Sequence, residues 1–114
     1  MIVYGIKNCD TVKKARRWLE QNEIAYEFHD VRQDGLSTEL VERWLQSVSL
    51  DTLINRRGTT WRQLDTADKQ DLDQTAAIAL LIRQPTLIRR PVVETNGQCT
   101  VGFSESLFQE HYGH

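Results

Sequence analysis

The first third of the chain combines two kinds of apolar spacing. Residues 2–6 are mostly apolar and are typical of a short buried strand. Residues 10–22 repeat apolar side chains at helical spacing, whereas residues 26–31 alternate apolar and polar side chains as a strand does. The apolar stripe of the predicted helix consists of Val12, Ala15 and Leu19, with Trp18 beside it. A strand, a helix and a second strand in this order predict a right-handed crossover between parallel strands.

The middle of the chain is patterned as a series of helices. Asp34-Gly35 predicts a turn, and Ser37 is placed to cap a helix whose apolar positions extend to Val48. Residues 50–82 predict several short helices with polar breaks between them. Pro85 then ends the helical region, because proline cannot continue a helix hydrogen-bond ladder.

The last part of the chain predicts a hairpin followed by a helix. Asn96-Gly97 is a strong two-residue turn signal between apolar segments, and Ser104 begins the final helix. The whole pattern is therefore strand–helix–strand, helical insert, hairpin and helix. We predict a single α/β domain over residues 1–114 with a thioredoxin-like fold, that is, a mixed four-stranded sheet with a helical lobe inserted at about residues 36–84.

Composition limits the classes of function. The formal net charge of −2 gives no general attraction to nucleic acid or to an anionic membrane surface. The longest apolar run, residues 76–82, is too short to cross a bilayer, and the N-terminus lacks the features of a signal peptide. We therefore expect a cytoplasmic protein, in which thiols stay reduced. Without a Cys-x-x-Cys pair, and with only isolated histidines, no metal site is expected.

Cys9 is the strongest candidate for chemistry. It lies between the first predicted strand and the first predicted helix, where unpaired N–H groups and the helix dipole favour a thiolate. Lys7 and Lys13 add positive charge near this position, and Asp10 opposes them. These features favour a nucleophile for thiol–disulfide exchange. The alternative is structural, because cysteine at such a junction is often a small buried apolar residue.

A second, resolving thiol is not expected. The position three residues after Cys9 is occupied by Val12. Cys99 alternates with Val101 on the predicted hairpin, which favours a packing or surface residue. An enzyme that uses Cys9 alone would need an external thiol, and glutathione is the abundant one in the cytoplasm.

Three segments are distinctive in combination: Tyr-Gly-Ile-Lys-Asn-Cys-Asp-Thr at 4–11, Leu-Ile-Asn-Arg-Arg-Gly-Thr-Thr-Trp at 53–61 and Ile-Arg-Arg-Pro-Val at 88–92. In this order they resemble the arsenate reductase/Spx family, and most of all its YffB-type branch of glutathione-dependent thiol reductases. The resemblance implies that Cys9 is the catalytic cysteine, that Arg90 faces it and holds an anion, and that Pro91 is a cis-proline. Strand alternation would let only one of Arg89 and Arg90 face Cys9, and the motif selects Arg90.

Two positions depart from the arsenate reductases that this chain resembles. Asn55 stands where those enzymes have an arginine around the oxyanion, with Arg56 as a candidate substitute, and Gly102 stands at another such position. If each charge-assisted contact contributes roughly 1.5–3 kcal/mol, these losses weaken arsenate binding by several kcal/mol. A glutathionyl group or a protein mixed disulfide brings its own carboxylates and remains compatible with the site.

We therefore expect a glutathione-dependent thiol reductase in which Cys9 attacks a mixed disulfide and an external thiol, glutathione or glutaredoxin, releases the product. The expected binding surface consists of Lys7, Asn8, Asn55, Arg56, Arg90 and Pro91. No metal, nucleic acid or membrane partner is expected. The alternatives are an arsenate reductase with a weakened oxyanion site and an Spx-like regulator that binds RNA polymerase, although Spx regulators carry a Cys-x-x-Cys pair.

Several basic and aromatic side chains stay open to two interpretations. Arg56, Arg57 and Arg62 are either the polar face of a loop and short helix or a grip for glutathione. Trp44 and Trp61 are interpreted as core residues rather than as platforms for a ligand.

Overall fold

In the computed structural model, which describes residues 1–69 and 72–113, four short strands form one mixed sheet in the order β2-β1-β3-β4. The strands are β1 (Ile2–Gly5), β2 (Glu27–Asp30), β3 (Val92–Thr95) and β4 (Gln98–Val101). β1 is parallel to β2 and antiparallel to β3, and β3 is antiparallel to β4. The predicted thioredoxin-like arrangement, with a parallel crossover followed by a hairpin, is confirmed.

The crossover between β1 and β2 is α1 (Asp10–Gln21). Its buried residues are those of the predicted apolar stripe, Val12, Ala15, Trp18 and Leu19. A Cβ added to Gly5, at the end of β1, would lie 2.8 Å from Cγ2 and 3.0 Å from Cγ1 of Val12. Glycine at this position therefore lets the first turn of α1 approach the sheet closely.

The inserted lobe is helical, as predicted. It contains α2 (Thr38–Trp44), α3 (Leu50–Leu53), α4 (Thr59–Gln63), α5 (Thr66–Lys69) and α6 (Gln74–Arg83). The Ser37 Oγ accepts a hydrogen bond from the Leu40 N–H, which confirms the predicted cap. α2 ends at Trp44 rather than at Val48, because the chain passes through turns before Ser49 caps α3.

The C-terminal part follows the expected turn and cap chemistry. Asn96 and Gly97 have φ angles of 54° and 77°, so both residues of the hairpin turn adopt the left-handed region that Asn-Gly favours. The Ser104 Oγ accepts from the Leu107 N–H and caps α7 (Glu105–Tyr112). A 3₁₀ turn at Pro85–Leu87 follows α6 and leads to the segment before β3.

The sheet separates two apolar clusters. Tyr4 and Val92 belong to the cluster on the side of the inserted lobe, together with Trp44, whereas Val3 and Val93 belong to the cluster beneath α1 and α7. Trp44 is fully buried, as expected for a core residue. Trp61 is only partly buried at the margin of the first cluster. Within the described ranges, no helix is both long and apolar enough to span a membrane.

Candidate functional site

Cys9 occupies the N-cap position of α1, with φ −90° and ψ 124°. Its N–H donates to the Ile6 carbonyl oxygen at 3.1 Å, which closes a turn over Lys7 and Asn8, and its carbonyl oxygen accepts from the Lys13 N–H at 2.9 Å. The thiol is free and half-buried. Among the described residues no side chain caps α1, so its first N–H groups lack a side-chain partner, and the positive end of the helix dipole lies at the Cys9 position.

A cavity of about 370 Å³ opens beside this thiol. Its walls come from the start of α1 (Cys9 and Thr11), from the loop after α3 (Asn55 and Arg57), from residues 88–90 and from residues 102–103. The cavity therefore brings together segments that are distant along the chain.

Main-chain pairing explains how the inserted lobe reaches the cavity. Hydrogen bonds of 2.7 Å, from the Asn55 N–H to the carbonyl of residue 87 and from the Arg89 N–H to the carbonyl of residue 53, join residues 53–55 to residues 87–89. The Asn55 Oδ1 then accepts from the Arg57 N–H at 3.1 Å, in a tight turn within the loop. This turn lies beside the segment that leads into β3.

Arginine side chains give the cavity its positive charge. Arg57, Arg89 and Arg90 line it, and the first two are exposed. Arg90 is half-buried, and its Nη1 donates to the Thr86 carbonyl oxygen at 3.1 Å. Its Nε is buried without a hydrogen-bond partner in the described part of the chain.

Arg89 and Arg90 both line the cavity, so the predicted strand alternation does not separate them. Strand alternation does not apply to them, because they precede β3, which begins at Val92. The Arg90–Pro91 peptide bond is cis, as the family resemblance implied. Pro91 is buried, and its carbonyl oxygen accepts from the Gly102 N–H at 2.8 Å.

Asn55 and Gly102 stand at the two positions where the arsenate reductases that this chain resembles have an arginine. Both residues line the cavity. Gly102 has φ +89°, a conformation that an arginine would adopt only with strain. Arg57 and Arg89 line the cavity together with Arg90, whereas Lys7 and Arg56 of the predicted binding surface do not.

Other predicted site residues lie elsewhere. Lys7 and Asn8 line a neighbouring cavity of about 360 Å³, with Asp30 and Arg32. Arg56, predicted as the substitute cation, lies outside both cavities.

The Arg56 side chain is engaged on the surface of the inserted lobe. Its Nη1 donates to the Asp51 Oδ1 at 2.6 Å, and its guanidinium carbon lies 5.4 Å from the centre of the Trp61 ring. Arg57, not Arg56, lines the cavity, and the Asn55 turn signal two residues earlier is the sequence feature that could have indicated it.

Cys99 lies apart from this site. Its Sγ donates to the Trp44 carbonyl oxygen at 3.6 Å, and it lines separate cavities beside the hairpin. Burial raises the pKa of Cys99. A half-buried thiol of this kind agrees with its interpretation as a packing residue. Within the described ranges, no group of His, Cys, Asp and Glu side chains is placed to hold a metal ion.

Known proteins share this sequence pattern and this fold. A family model described as the ArsC family matches residues 4–111. An uncharacterized protein of Haemophilus influenzae is 46% identical over 94% of each chain. The global transcriptional regulator Spx of Lactiplantibacillus plantarum is 28% identical over 92% of this chain and 80% of that protein.

Solved structures agree with these relatives. A structure named YFFB protein is 46% identical and superposes with a TM-score of 0.91 over 96% of each chain. An arsenate reductase (ArsC) related protein from Brucella melitensis is 42% identical, with a TM-score of 0.79 over 99% of this chain and 94% of that one. The resemblance to the arsenate reductase/Spx family is confirmed, and the fold is that of a thiol reductase.

Proposed function

Because the chain belongs to the ArsC family, we propose that it is a glutathione-dependent thiol–disulfide oxidoreductase in which Cys9 is the single nucleophile. The observation that carries this proposal is the free, half-buried Cys9 thiol at the start of α1, in the same cavity as Arg57, Arg89 and Arg90. This combination offers a nucleophile and a binding site for an anionic thiol compound.

The electrostatics of the cavity support both roles. Unpaired N–H groups and the positive end of the helix dipole at the start of α1 favour an anion bound beside Cys9. Guanidinium groups offer planar pairs of donors to carboxylates, and a glutathionyl group carries carboxylates. A glutathionyl mixed disulfide can therefore place its disulfide at Cys9 while the arginines hold its charged ends.

The proposed reaction has two exchange steps. The Cys9 thiolate attacks the glutathionyl sulfur of a disulfide GS–SR, which forms Cys9–S–SG, breaks the S–S bond and releases RS⁻. A glutathione thiolate then attacks the glutathionyl sulfur of Cys9–S–SG, which forms GSSG and restores the Cys9 thiolate. The net reaction converts GS–SR and GSH into GSSG and RSH. Glutathione is thus the co-substrate, and glutaredoxin is a second candidate for the recycling step.

The requirement for an external thiol follows from the surroundings of Cys9. Val12, three residues later in α1, is fully buried and carries no thiol. Cys99 lies against the carbonyl of Trp44 and lines other cavities. We propose a cytoplasmic location on the same basis, because reduced glutathione is abundant there.

The direct test uses the mixed disulfide of glutathione and cysteine with excess glutathione, and follows GSSG through glutathione reductase. Wild type and the matched control Cys99→Ser should turn over the substrate, whereas Cys9→Ser should not. Intact-mass analysis without free thiol should show a glutathionyl adduct that requires Cys9. Equal turnover by folded wild type and Cys9→Ser would contradict the proposal.

Arsenate reduction is a second candidate, favoured by the additional guanidinium groups of Arg57 and Arg89 in the cavity. Its balance is arsenate and two GSH giving arsenite, GSSG and water, with Cys9 as the attacking thiol. Arsenite production by the purified protein with glutathione and glutaredoxin would support it, and its absence alongside disulfide turnover would exclude it. Recovery of RNA polymerase subunits independently of Cys9 would instead favour the regulator alternative.

A further inference from the structure

Asp30 is a buried carboxylate at the end of β2, with 3% of its surface exposed. Its Oδ1 accepts hydrogen bonds from the Arg32 N–H at 2.8 Å and from the Gln33 N–H at 2.9 Å. Its Oδ2 accepts from the Lys7 N–H at 3.1 Å. A buried charge is expensive unless it is paired or hydrogen-bonded, so these N–H groups are what make its position tolerable.

The bond to Lys7 differs from the other two because it joins the ends of the neighbouring strands β1 and β2. The Arg32 and Gln33 bonds are local, whereas Lys7 lies 23 residues before Asp30. Lys7 is also the first central residue of the turn that the Cys9 N–H closes on the Ile6 carbonyl oxygen. Asp30 therefore holds the turn that places the thiol at the start of α1.

We infer that Asp30 is a positioning residue for Cys9: its carboxylate fixes the Ile6–Cys9 turn, so that Cys9 stays at the N-cap position of α1. This inference rests on the proposed function only for its effect on turnover. Its effect on the placement and reactivity of the thiol needs no substrate. Asp30 lines the neighbouring cavity, together with Lys7 and Asn8. It does not line the cavity that contains Cys9.

The charges around Asp30 are consistent with an ionised carboxylate. Burial alone would raise its pKa, but the N–H donors of Gln33, Arg32 and Lys7, together with the Arg32 charge, lower it overall. Arg32 and Lys7 line the same cavity as Asp30. Asp34 is the opposing carboxylate, and its Oδ2 accepts from the Asp30 N–H at 2.9 Å. An ionised Asp30 can accept hydrogen bonds from all three of these N–H groups at once.

The variant that isolates this role is Asp30→Asn. Asparagine has one oxygen that can accept hydrogen bonds, whereas the carboxylate uses two. Its NH₂ group, which cannot accept, would therefore face either the Lys7 N–H or the N–H groups of Arg32 and Gln33. The matched control is Asp34→Asn, which removes a carboxylate from the same loop but keeps an oxygen for the Asp30 N–H. A second control, Ser104→Ala, removes the cap of α7 and lowers stability away from the turn.

The expected result is a split between the kinetic constants. Asp30→Asn should lower kcat by about tenfold to a hundredfold, because displacement of a reacting atom by about 1 Å has this effect. KM should stay within about threefold of wild type, since the arginines that hold the substrate are unchanged. Both controls should keep kcat. A folded Asp30→Asn variant with wild-type kcat would overturn the inference.

Two measurements remain informative whatever the catalytic result. Iodoacetamide should alkylate Cys9 in folded Asp30→Asn more slowly than in wild type or the controls, and unchanged alkylation would overturn the inference even if no disulfide turnover is found. In wild type, which needs no variant to fold, the backbone amide of Lys7 should exchange its hydrogen at least about tenfold more slowly than an unprotected amide. Exchange at the unprotected rate would show that the Asp30–Lys7 bond does not hold the turn.

Discussion

Gly5 offers a quantitative test of how tightly the turn and helix that carry Cys9 rest on the sheet. In Gly5→Ala, the new Cβ would lie 2.8 Å from Cγ2 and 3.0 Å from Cγ1 of Val12, closer than carbon atoms pack in proteins. Val12 is fully buried and, being β-branched in a helix, has essentially one χ1 rotamer available. The clash can therefore be relieved only if α1 moves away from β1.

The size of the effect follows from this geometry. Overpacking of a rigid site costs about 1–3 kcal/mol. Replacing glycine by alanine also removes freedom from the unfolded chain, which offsets about 0.4–1 kcal/mol of that cost. We expect Gly5→Ala to lose about 1–2 kcal/mol of the free energy of unfolding, since the first effect exceeds the second. For a domain of this size that loss lowers Tm by roughly 4–8 °C.

A double-mutant cycle with Val12→Ala provides the assay. Val12→Ala alone leaves a cavity and destabilises the protein, but in the double variant the methyl group introduced by Gly5→Ala occupies part of that space. Urea unfolding should give a favourable coupling energy of about 1–2 kcal/mol between the two changes. Gly5→Ala combined with Leu81→Ala, in the apolar cluster on the side of the inserted lobe, should be additive. Unchanged stability in Gly5→Ala, or additivity with Val12→Ala, would refute this account of the contact.

Further predictions concern charge and ionisation. Arg57→Gln should lower the rate of Cys9 alkylation by anionic iodoacetate relative to neutral iodoacetamide by about twofold, the effect of losing roughly 0.5 kcal/mol of attraction between opposite charges in water. Arg62→Gln, outside the cavity, should not change this ratio, and an equal change in both variants would contradict the role of Arg57. Since burial raises the pKa of Cys99, its alkylation near pH 8, measured in Cys9→Ser, should be slower than that of free cysteine, and an equal rate would argue against burial. The folded pKa of Asp30 lies below its unfolded value, so its stabilising contribution is full above about pH 4 and is lost as the pH falls through the folded pKa. The stability difference between wild type and Asp30→Asn in urea unfolding should therefore shrink in acid, and a difference independent of pH would contradict this assignment.

The sequence was sufficient to predict features that depend only on residues close together along the chain. The caps at Ser37 and Ser104 and the Asn96-Gly97 turn each act through hydrogen bonds or φ angles within a few residues, so local pattern predicts them. The apolar stripe of α1 is equally visible, because one helix face must meet the sheet.

The composition of the cavity could not be predicted in the same way. Whether Arg56 or Arg57 lines it depends on the tight turn at Asn55 and on the pairing of residues 53–55 with residues 87–89. Alternation failed for Arg89 because that rule belongs to regular strands, and this arginine lies in an irregular segment. Side-chain direction outside regular elements is set by long-range contacts that periodicity does not record.

The walls of the arginine cavity come from chain segments between residues 9 and 103 that meet only when the protein is folded. Any ligand that spans them acts as a reversible cross-link, since it binds the native state and finds no equivalent site in the unfolded chain. Occupancy then adds to the free energy of unfolding, by about 2.7 kcal/mol when the free ligand is present at one hundred times its Kd. The Tm measured at increasing ligand concentration therefore reports binding to this cavity. In Cys9→Ser the same measurement reports binding of glutathione disulfide or arsenate without any reaction at the Cys9 sulfur.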